Sequence, residues 1–317
     1  MPDDPRISVI IPACNSALFL SETLASLLKQ SFNRWECVVV DDGSTDQTAS
    51  IATSFADGDS RIRSFSIPNQ GVANARNFGF SKSLGTTDYI VFLDHDDCFL
   101  PNAFDRMIQV ADREVGCIGV HALPDTIDLQ GNPYEAGRIS KLMRDRRTVQ
   151  NSKFVARASD QPTDLGTLMT TGFCPPALFM TRRRIAERIG GFNQLLAPAD
   201  DRDYWIRACR LGNYAFIDEV LILYRRHPAA GLNNVRLCDQ KIRETDWVNF
   251  FSPDNTPAQR RVFKDYYTAL QRSKWREKSE RCQAAWDSGR VGEAARLATQ
   301  AMGRMFKYLR GYPTKRG

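Results

Sequence analysis

The alternation of strand-length apolar runs with helical patterns is the feature that most constrains the fold of this 317-residue chain. A β-branched run at residues 6–15 closes with Pro12 and Asn15, and a helical pattern follows at residues 21–30. The apolar run that starts at Trp35 then leads into acidic residues and a second helical pattern. This alternation predicts a parallel sheet with helices on both faces. Ligands of such sheets bind beyond the carboxyl ends of the strands.

Carboxylates are concentrated at these strand ends. The apolar run YIVFL is followed by Asp94, Asp96 and Asp97, and an earlier run ends at Asp42. Adjacent carboxylates repel one another unless a cation or a proton is shared between them. In an extended segment Asp94 and Asp96 would point to the same side, roughly 6.5 Å apart. Oxygen ligands of this kind favour Mg²⁺ or Mn²⁺ with open positions for substrate phosphates, although an acidic turn in solvent is the alternative.

The composition argues against several other classes. Residues 236–317 carry 18 Lys or Arg against 9 Asp or Glu, whereas residues 1–235 carry 25 against 28. Because the acidic clusters occupy the expected site, we do not expect a nucleic-acid partner. The eight cysteines form no C-x-x-C pair of the kind found in zinc or redox sites. Without a spanning apolar stretch or a signal-peptide pattern, a cytoplasmic protein is expected.

Seven segments, in order, carry a resemblance to a known family. They are SVIIPACN, SLLKQSF, VVVDDGSTD, NQGVANARNFGF, YIVFLDHDD, GGFNQLLAPADDRDYWIRACRLG and YRRH. Together they resemble the family 2 inverting glycosyltransferases of GT-A fold, which move a sugar from a nucleotide diphosphate donor to an acceptor hydroxyl. The resemblance implies an α/β fold with a mostly parallel, Rossmann-like sheet. Residues 1–120 would form the nucleotide-sugar-binding half, residues 121–235 the acceptor-binding and catalytic-base half, and residues 236–317 a basic helical extension.

The resemblance implies roles for residues around the nucleotide. Pro12 and Asp42 match positions that contact the base and ribose, with Asp42 facing the base. Arg76 matches an arginine near the base and diphosphate, and Asn69 and Gly71 belong to the same loop. These five residues would hold the nucleotide part of the donor.

The resemblance also implies a metal site. Asp94 and Asp96 match the D-x-D motif that holds ribose and metal, with Asp96 as the more direct ligand, and Asp97 extends the motif into an acidic triplet. His227 matches a histidine near the diphosphate that is either a third metal ligand or a phosphate contact. The two arginines before it are suited to hold phosphate oxygens.

A second acidic cluster, PADDRDYW, is the expected proton acceptor. Asp201 resembles the general base of the family, and Asp200 stands where the family has glutamate, so the choice between the two stays open. A sugar hydroxyl is a poor nucleophile until a carboxylate within hydrogen-bond reach takes its proton. The resemblance implies one direct displacement that inverts the anomeric carbon.

The resemblance implies the chemical class of the sugar donor and of the acceptor, and three alternative functions stay open. A UDP-sugar with Mn²⁺ or Mg²⁺ is the expected donor, and a carbohydrate or lipid-linked glycan of bacterial surface polysaccharide or lipopolysaccharide synthesis is the expected acceptor. Three alternatives are a sugar nucleotidyltransferase, a phosphatase of the haloacid dehalogenase type and a non-catalytic nucleotide-sugar binding module. The first normally has a glycine-rich basic loop where this chain has PACNSALF.

The carboxyl-terminal region has a helical pattern. Residues 281–312 predict two short helices that join near Gly289. Two interpretations compete for this basic tail: a helical appendage packed on the catalytic domain, or an amphipathic segment resting on anionic lipid at the inner face of the membrane.

Overall fold

The computed structural model describes residues 4–171, 175–226 and 235–309. Within these ranges the strands belong to two sheets, one large and one small. In chain order the strands are Ile7–Ala13 (β1), Trp35–Asp42 (β2), Ile62–Ile67 (β3), Tyr89–Phe92 (β4), Cys98–Phe99 (β5), Gly119–Ile127 (β6), Arg147–Gln150 (β7), Lys153–Ala156 (β8), Phe179–Arg182 (β9) and Tyr214–Arg225 (β10).

Helices connect and cover these strands. They are Leu20–Leu28 (α1), Thr48–Gly58 (α2), Val72–Lys82 (α3), Ala103–Arg113 (α4), Arg138–Arg144 (α5), Leu165–Thr170 (α6), Arg183–Ile189 (α7), Asp200–Cys209 (α8), Val235–Phe250 (α9), Pro257–Asp287 (α10) and Val291–Leu309 (α11).

The large sheet has eight strands in the order β3-β2-β1-β4-β9-β6-β10-β5. Strands β3, β2, β1 and β4 are mutually parallel, and β6 is parallel to β10. Strand β9 is antiparallel to both of its neighbours, and β5 is antiparallel to β10. The prediction of a mostly parallel sheet flanked by helices is therefore confirmed.

The core explains why the first strands form as predicted. Every residue of β1 and of β2 is buried, as expected for strands covered on both faces. Helix α1 places Leu20, Leu24 and Leu27 on its buried face at helical spacing. Burial of one such side chain contributes about 1.5–3 kcal/mol. The expected boundary at residue 120 falls at the start of β6, inside this shared sheet, so the division into functional halves stays a prediction.

The carboxyl-terminal helices are partly integrated into this core. Helix α10 begins at a capping box between Thr256 and Gln259, and its first half buries Phe263 and Tyr266 in the main core. Its second half packs against α11. The predicted junction near Gly289 is confirmed, but the prediction of two short helices was wrong, because α10 has 31 residues. The first half of this longer helix packs against the main core.

Candidate functional site

The acidic strand ends converge, as the fold rule predicts. Strand β1 lies between β2 and β4, so the end of β2 at Asp42 and the residues after β4, beginning near Asp94, face the same edge of the sheet. Pro12 lies in the buried β1 opposite Val40 of β2. The predicted nucleotide residues on these strands are therefore neighbours.

Asp42 holds the loop that follows β3. Its Oδ1 accepts a hydrogen bond from the backbone N–H of Gln70, and its Oδ2 accepts one from Gly71, both at 2.8 Å. The side-chain amide of Asn69 donates to the Asp42 carbonyl oxygen. Gly43 is required here, since a Cβ at this left-handed position would lie 2.7 Å from the Asn69 nitrogen. Asp42, Asn69 and Gly71 thus form one compact unit at the end of β2.

Arg76 joins two acidic clusters that are far apart in the sequence. This buried residue of α3 donates from Nη2 to Asp94 Oδ1 at 2.8 Å and from Nη1 to Asp200 Oδ2 at 2.9 Å. Its guanidinium carbon also lies 5.1 Å from the centre of the Phe192 ring. Arg76 therefore connects the strand-end carboxylates with the amino terminus of α8.

The DHDD segment is a turn, so the expectation of an extended segment was wrong. The Asp97 N–H donates to the Asp94 carbonyl at 3.2 Å, and the chain turns at His95 and Asp96. The turn is required because β5 begins directly afterwards at Cys98. Asp97 is buried, and its Oδ1 accepts the backbone N–H of Arg225. Burial, Asp96 and Asp94 raise the pKa of Asp97 well above its usual range.

Arg225 forms hydrogen bonds that hold this turn in place. It is buried and donates to the Asp96 carbonyl from Nε, to Glu22 Oε2 from Nη2 and to the Asp128 carbonyl from Nη1, at 2.9, 2.5 and 2.8 Å. The proposed phosphate contact for Arg225 was therefore wrong, since its guanidinium is enclosed and already bonded. Arg226 is exposed, and His227 lies outside the described residues.

Asp200 and Asp201 begin α8 but have different surroundings. Asp200 is buried and ion-paired with Arg76. Asp201 is half-buried, and its Oδ1 accepts the backbone N–H of Arg202. Burial and the Asp200 carboxylate raise the pKa of Asp201 to about 7. A half-buried carboxylate with such a pKa is suited to take a proton, whereas Asp200 is suited to hold Arg76.

Residues 8–190 match the family described as glycosyl transferase family 2. This chain belongs to that family. A Rickettsia typhi protein described as an uncharacterized glycosyltransferase is 31% identical over 248 residues, which make up 78% of this chain and 71% of the relative. A Haemophilus influenzae protein with the same description is 34% identical over 151 residues, 47% of this chain and 59% of the relative. Over the matched region, this chain therefore spans 59% of that relative's length.

Solved structures share the fold of this family 2 member. S. aureus TarS 1-349 in complex with UDP-GlcNAc has a TM-score of 0.62 at 18% identity, covering 83% of this chain and 72% of that chain. The mannosyltransferase PcManGT from Pyrobaculum calidifontis in complex with GDP-Man and Mn²⁺ has a TM-score of 0.59 at 20% identity, covering 97% and 82%. At these identities the likeness establishes a shared GT-A fold.

The carboxylates at the strand ends suit a hard divalent cation only in part. Within the described ranges, no three His, Cys, Asp or Glu side chains converge as ligands of one ion. However, Asp97 Oδ2 is buried and has no hydrogen-bond partner in the described part of the chain, and the neighbouring metal-ligand atoms are carboxylate oxygens of the kind that Mg²⁺ and Mn²⁺ prefer. Asp94 and Asp96 are the residues that would hold such an ion, and it would supply positive charge beside a diphosphate.

The contacts of two residues, Asn77 and Glu22, were not predicted from the sequence. Asn77 binds both backbone groups of Phe192, donating to its carbonyl at 2.9 Å and accepting from its N–H at 2.7 Å. Asn77 lies in the NARN segment, in which the resemblance implies a role for Arg76 but not for Asn77. Glu22 pairs with Arg225 although 203 residues separate them, and no local pattern marks that partnership.

Proposed function

We propose that the protein is an inverting glycosyltransferase that moves a sugar from a nucleotide diphosphate, most simply a UDP-sugar, to an acceptor hydroxyl. The observation that carries the proposal is that Arg76 forms ion pairs with both Asp94 and Asp200. These pairs bring Asp94, which is expected to bind the sugar donor, to the same site as Asp200 and its neighbour Asp201. Membership of family 2 supports a transferase over a nucleotidyltransferase or a phosphatase.

The donor would lie along the sheet edge. The Asp42 unit, with Asn69 and Gly71, would bind the base and ribose, and Pro12 would line the same end of the sheet. Asp94 and Asp96 would hold Mn²⁺ or Mg²⁺, whose positive charge offsets the charge that develops on the departing diphosphate. A UDP-sugar and a GDP-sugar with Mn²⁺ are bound by the two structural neighbours.

Asp201 would act as the general base. It would take the proton of the acceptor hydroxyl as the acceptor oxygen forms its bond to the anomeric carbon. The bond between that carbon and the diphosphate oxygen would break in the same step, and the nucleoside diphosphate would leave with the bonding electrons. A single displacement inverts the configuration at the anomeric carbon and leaves no covalent sugar on the enzyme.

Product stereochemistry tests this reaction directly. The full chain would be incubated with an α-linked nucleotide sugar and a panel of glycan acceptors, and the anomeric proton coupling of the product would be measured by NMR. A β-linked product supports the proposal. An α-linked product, or hydrolysis that is unchanged in Asp201→Asn, contradicts it.

A membrane-associated, lipid-linked acceptor of bacterial envelope synthesis is the second part of the proposal. None of the described helices is long and apolar enough to cross a membrane. At the junction of α10 and α11, Trp286 and Val291 are 62% and 58% exposed, and residues 236–317 around this junction carry 18 Lys or Arg against 9 Asp or Glu. Exposed apolar side chains on a segment with a net positive charge suit an anionic membrane surface.

Flotation of the full chain tests the membrane contact. With anionic vesicles the protein should float, and Trp286→Ala should reduce the floated fraction. Leu142→Ala, which removes another exposed apolar side chain far from the junction in sequence, is the matched control. Equal flotation with neutral and anionic vesicles, or no flotation, would overturn this part.

A further inference from the structure

A cavity of about 310 Å³ is lined partly by α8 and by none of the strand-end carboxylates. One wall is the loop of Gly190 to Asn193, the second is a face of α8, and the third is the end of α9 with the residues that follow it. At ~30 Å³ for each water molecule, the cavity has room for about ten waters, enough for a small polar ligand.

The α8 wall presents polar groups of both kinds. Asp203 is buried and accepts hydrogen bonds from Arg207 and Asn249. Arg207 also donates to the carbonyls of Ile189 and Gly191 and so holds the glycine loop in place. The contacts of Arg207 account for most of its donors, so this wall is rigid before any ligand arrives.

Arg210 has a donor left over. Its Nη2 donates to the Asn249 carbonyl at 2.6 Å, whereas its buried Nε has no hydrogen-bond partner among the described residues. A buried donor without a partner costs about 1–3 kcal/mol. Arg210 also lines the cavity, so a ligand oxygen that reaches this Nε would remove that cost.

The charges around the cavity select the class of ligand. Arg207 and Arg210 are balanced by Asp203 and Asp254, so the lining has no excess of positive charge to attract a phosphate. Val248 and the Phe192 ring add apolar surface. Balanced donors and acceptors beside an apolar face suit a neutral, polyhydroxylated ring.

We propose that this cavity binds a neutral sugar residue. The proposal rests on the proposed function, since such a residue is either a distant unit of the acceptor glycan or a free sugar that modulates the enzyme. Asp203, which lines the cavity, follows Asp201 by two residues, and at 3.6 residues per turn their side chains project from nearly opposite sides of α8. The cavity is therefore separate from the reacting hydroxyl. Its occupant would also contact the loop whose Phe192 ring packs on Arg76.

Calorimetry of the full chain with a panel of neutral mono- and disaccharides, without donor, tests the proposal. We expect saturable binding that weakens at least tenfold in Val248→Trp, which fills the mouth of the cavity, and in Arg210→Met. Val115→Trp places the same side chain at an exposed position outside the cavity and should bind normally. No binding at millimolar sugar, or equal binding in Val248→Trp, overturns the proposal.

Transfer assays then distinguish the two sources of the sugar. If the cavity holds an acceptor unit, Val248→Trp raises KM for long acceptors and leaves KM for a monosaccharide acceptor unchanged. If it holds a free sugar, adding that sugar changes kcat without its appearing in the product. Binding of the nucleotide-sugar donor, measured in parallel, separates the two proposals. If the donor binds but no neutral sugar binds, the cavity proposal alone is contradicted. If a neutral sugar binds but no donor binds, the proposed function alone is contradicted.

Discussion

Arg76 and Asp200 form a buried ion pair in which Nη1 and Oδ2 are 2.9 Å apart. The other terminal nitrogen of the same guanidinium binds Asp94. A planar guanidinium can serve two carboxylates at once, which a lysine ammonium on its flexible stem does less well. One cation thus links the carboxylate proposed to bind the donor with the acidic pair proposed to transfer the proton.

Replacing Arg76 should impair both functions together. Arg76→Lys keeps the charge but not the two-sided geometry, so we expect weaker donor binding and lower kcat. Arg76→Met leaves Asp200 buried without its partner and should cost about 3–5 kcal/mol of folding stability. Donor titrations, steady-state kinetics and thermal unfolding measure these effects. The exposed Arg113→Lys is the control, and wild-type donor affinity and kcat in Arg76→Lys would refute the linkage.

Asp200 and Asp201 should differ in what their replacement removes. Asp201→Asn is expected to lower kcat by about 10²–10⁴ while donor affinity is retained, because only the proton acceptor is lost. Asp200→Asn removes the charge that pairs with Arg76 and should weaken donor binding as well as turnover. Kinetics and donor titration of both variants decide the assignment. A larger kcat loss in Asp200→Asn, with Asp201→Asn near wild type, would reverse it.

The pH dependence follows from the raised pKa of Asp201, about 7. A base must be ionised, so kcat/KM should rise about tenfold between pH 6 and pH 8. The folded state also binds this proton more tightly than the unfolded chain, so stability should fall as pH rises from about 4 to about 7. Asp201→Asn should remove that part of the stability profile. A kcat/KM that is flat above pH 5 would contradict this role for Asp201.

Local sequence patterns predicted the sheet and the convergence of its acidic ends. Strands such as β1 and β2 are continuous apolar runs, and the parallel order places Asp42 and Asp94 at one edge without any knowledge of side-chain contacts. The pairing of Arg225 with Glu22 was not predictable in this way, because it joins the ends of two distant elements. Motif similarity identified Arg76 but not its buried partnership with Asp200, which depends on packing between α3 and α8.

Arg225 should act as a positioning residue for the DHDD turn. Arg225→Lys loses at least one of the bonds to Asp96, Asp128 and Glu22, so the turn should loosen and metal-dependent donor affinity should fall more than kcat. Glu22→Gln keeps a hydrogen-bonding group and should have a milder effect. Donor titration with Mn²⁺ alongside single-turnover kinetics separates binding from chemistry.

The exposed neighbour Arg226→Lys is the matched control for that experiment. Unchanged donor affinity in Arg225→Lys, or a loss that appears in kcat alone, would show that the turn does not depend on Arg225. Thermal unfolding of each variant reports any general loss of stability separately.

In the proposed reaction the converged carboxylates bind a metal and a nucleotide sugar, and Asp201 takes the proton of the acceptor hydroxyl. The most direct measurement is binding and turnover across UDP-, GDP- and dTDP-sugars with Mn²⁺, Mg²⁺ or EDTA, comparing wild type with Asp96→Ala and Asp201→Asn. We expect metal-dependent binding that is lost in Asp96→Ala, and binding without turnover in Asp201→Asn. Failure of every nucleotide sugar to bind with any metal would contradict the proposed reaction.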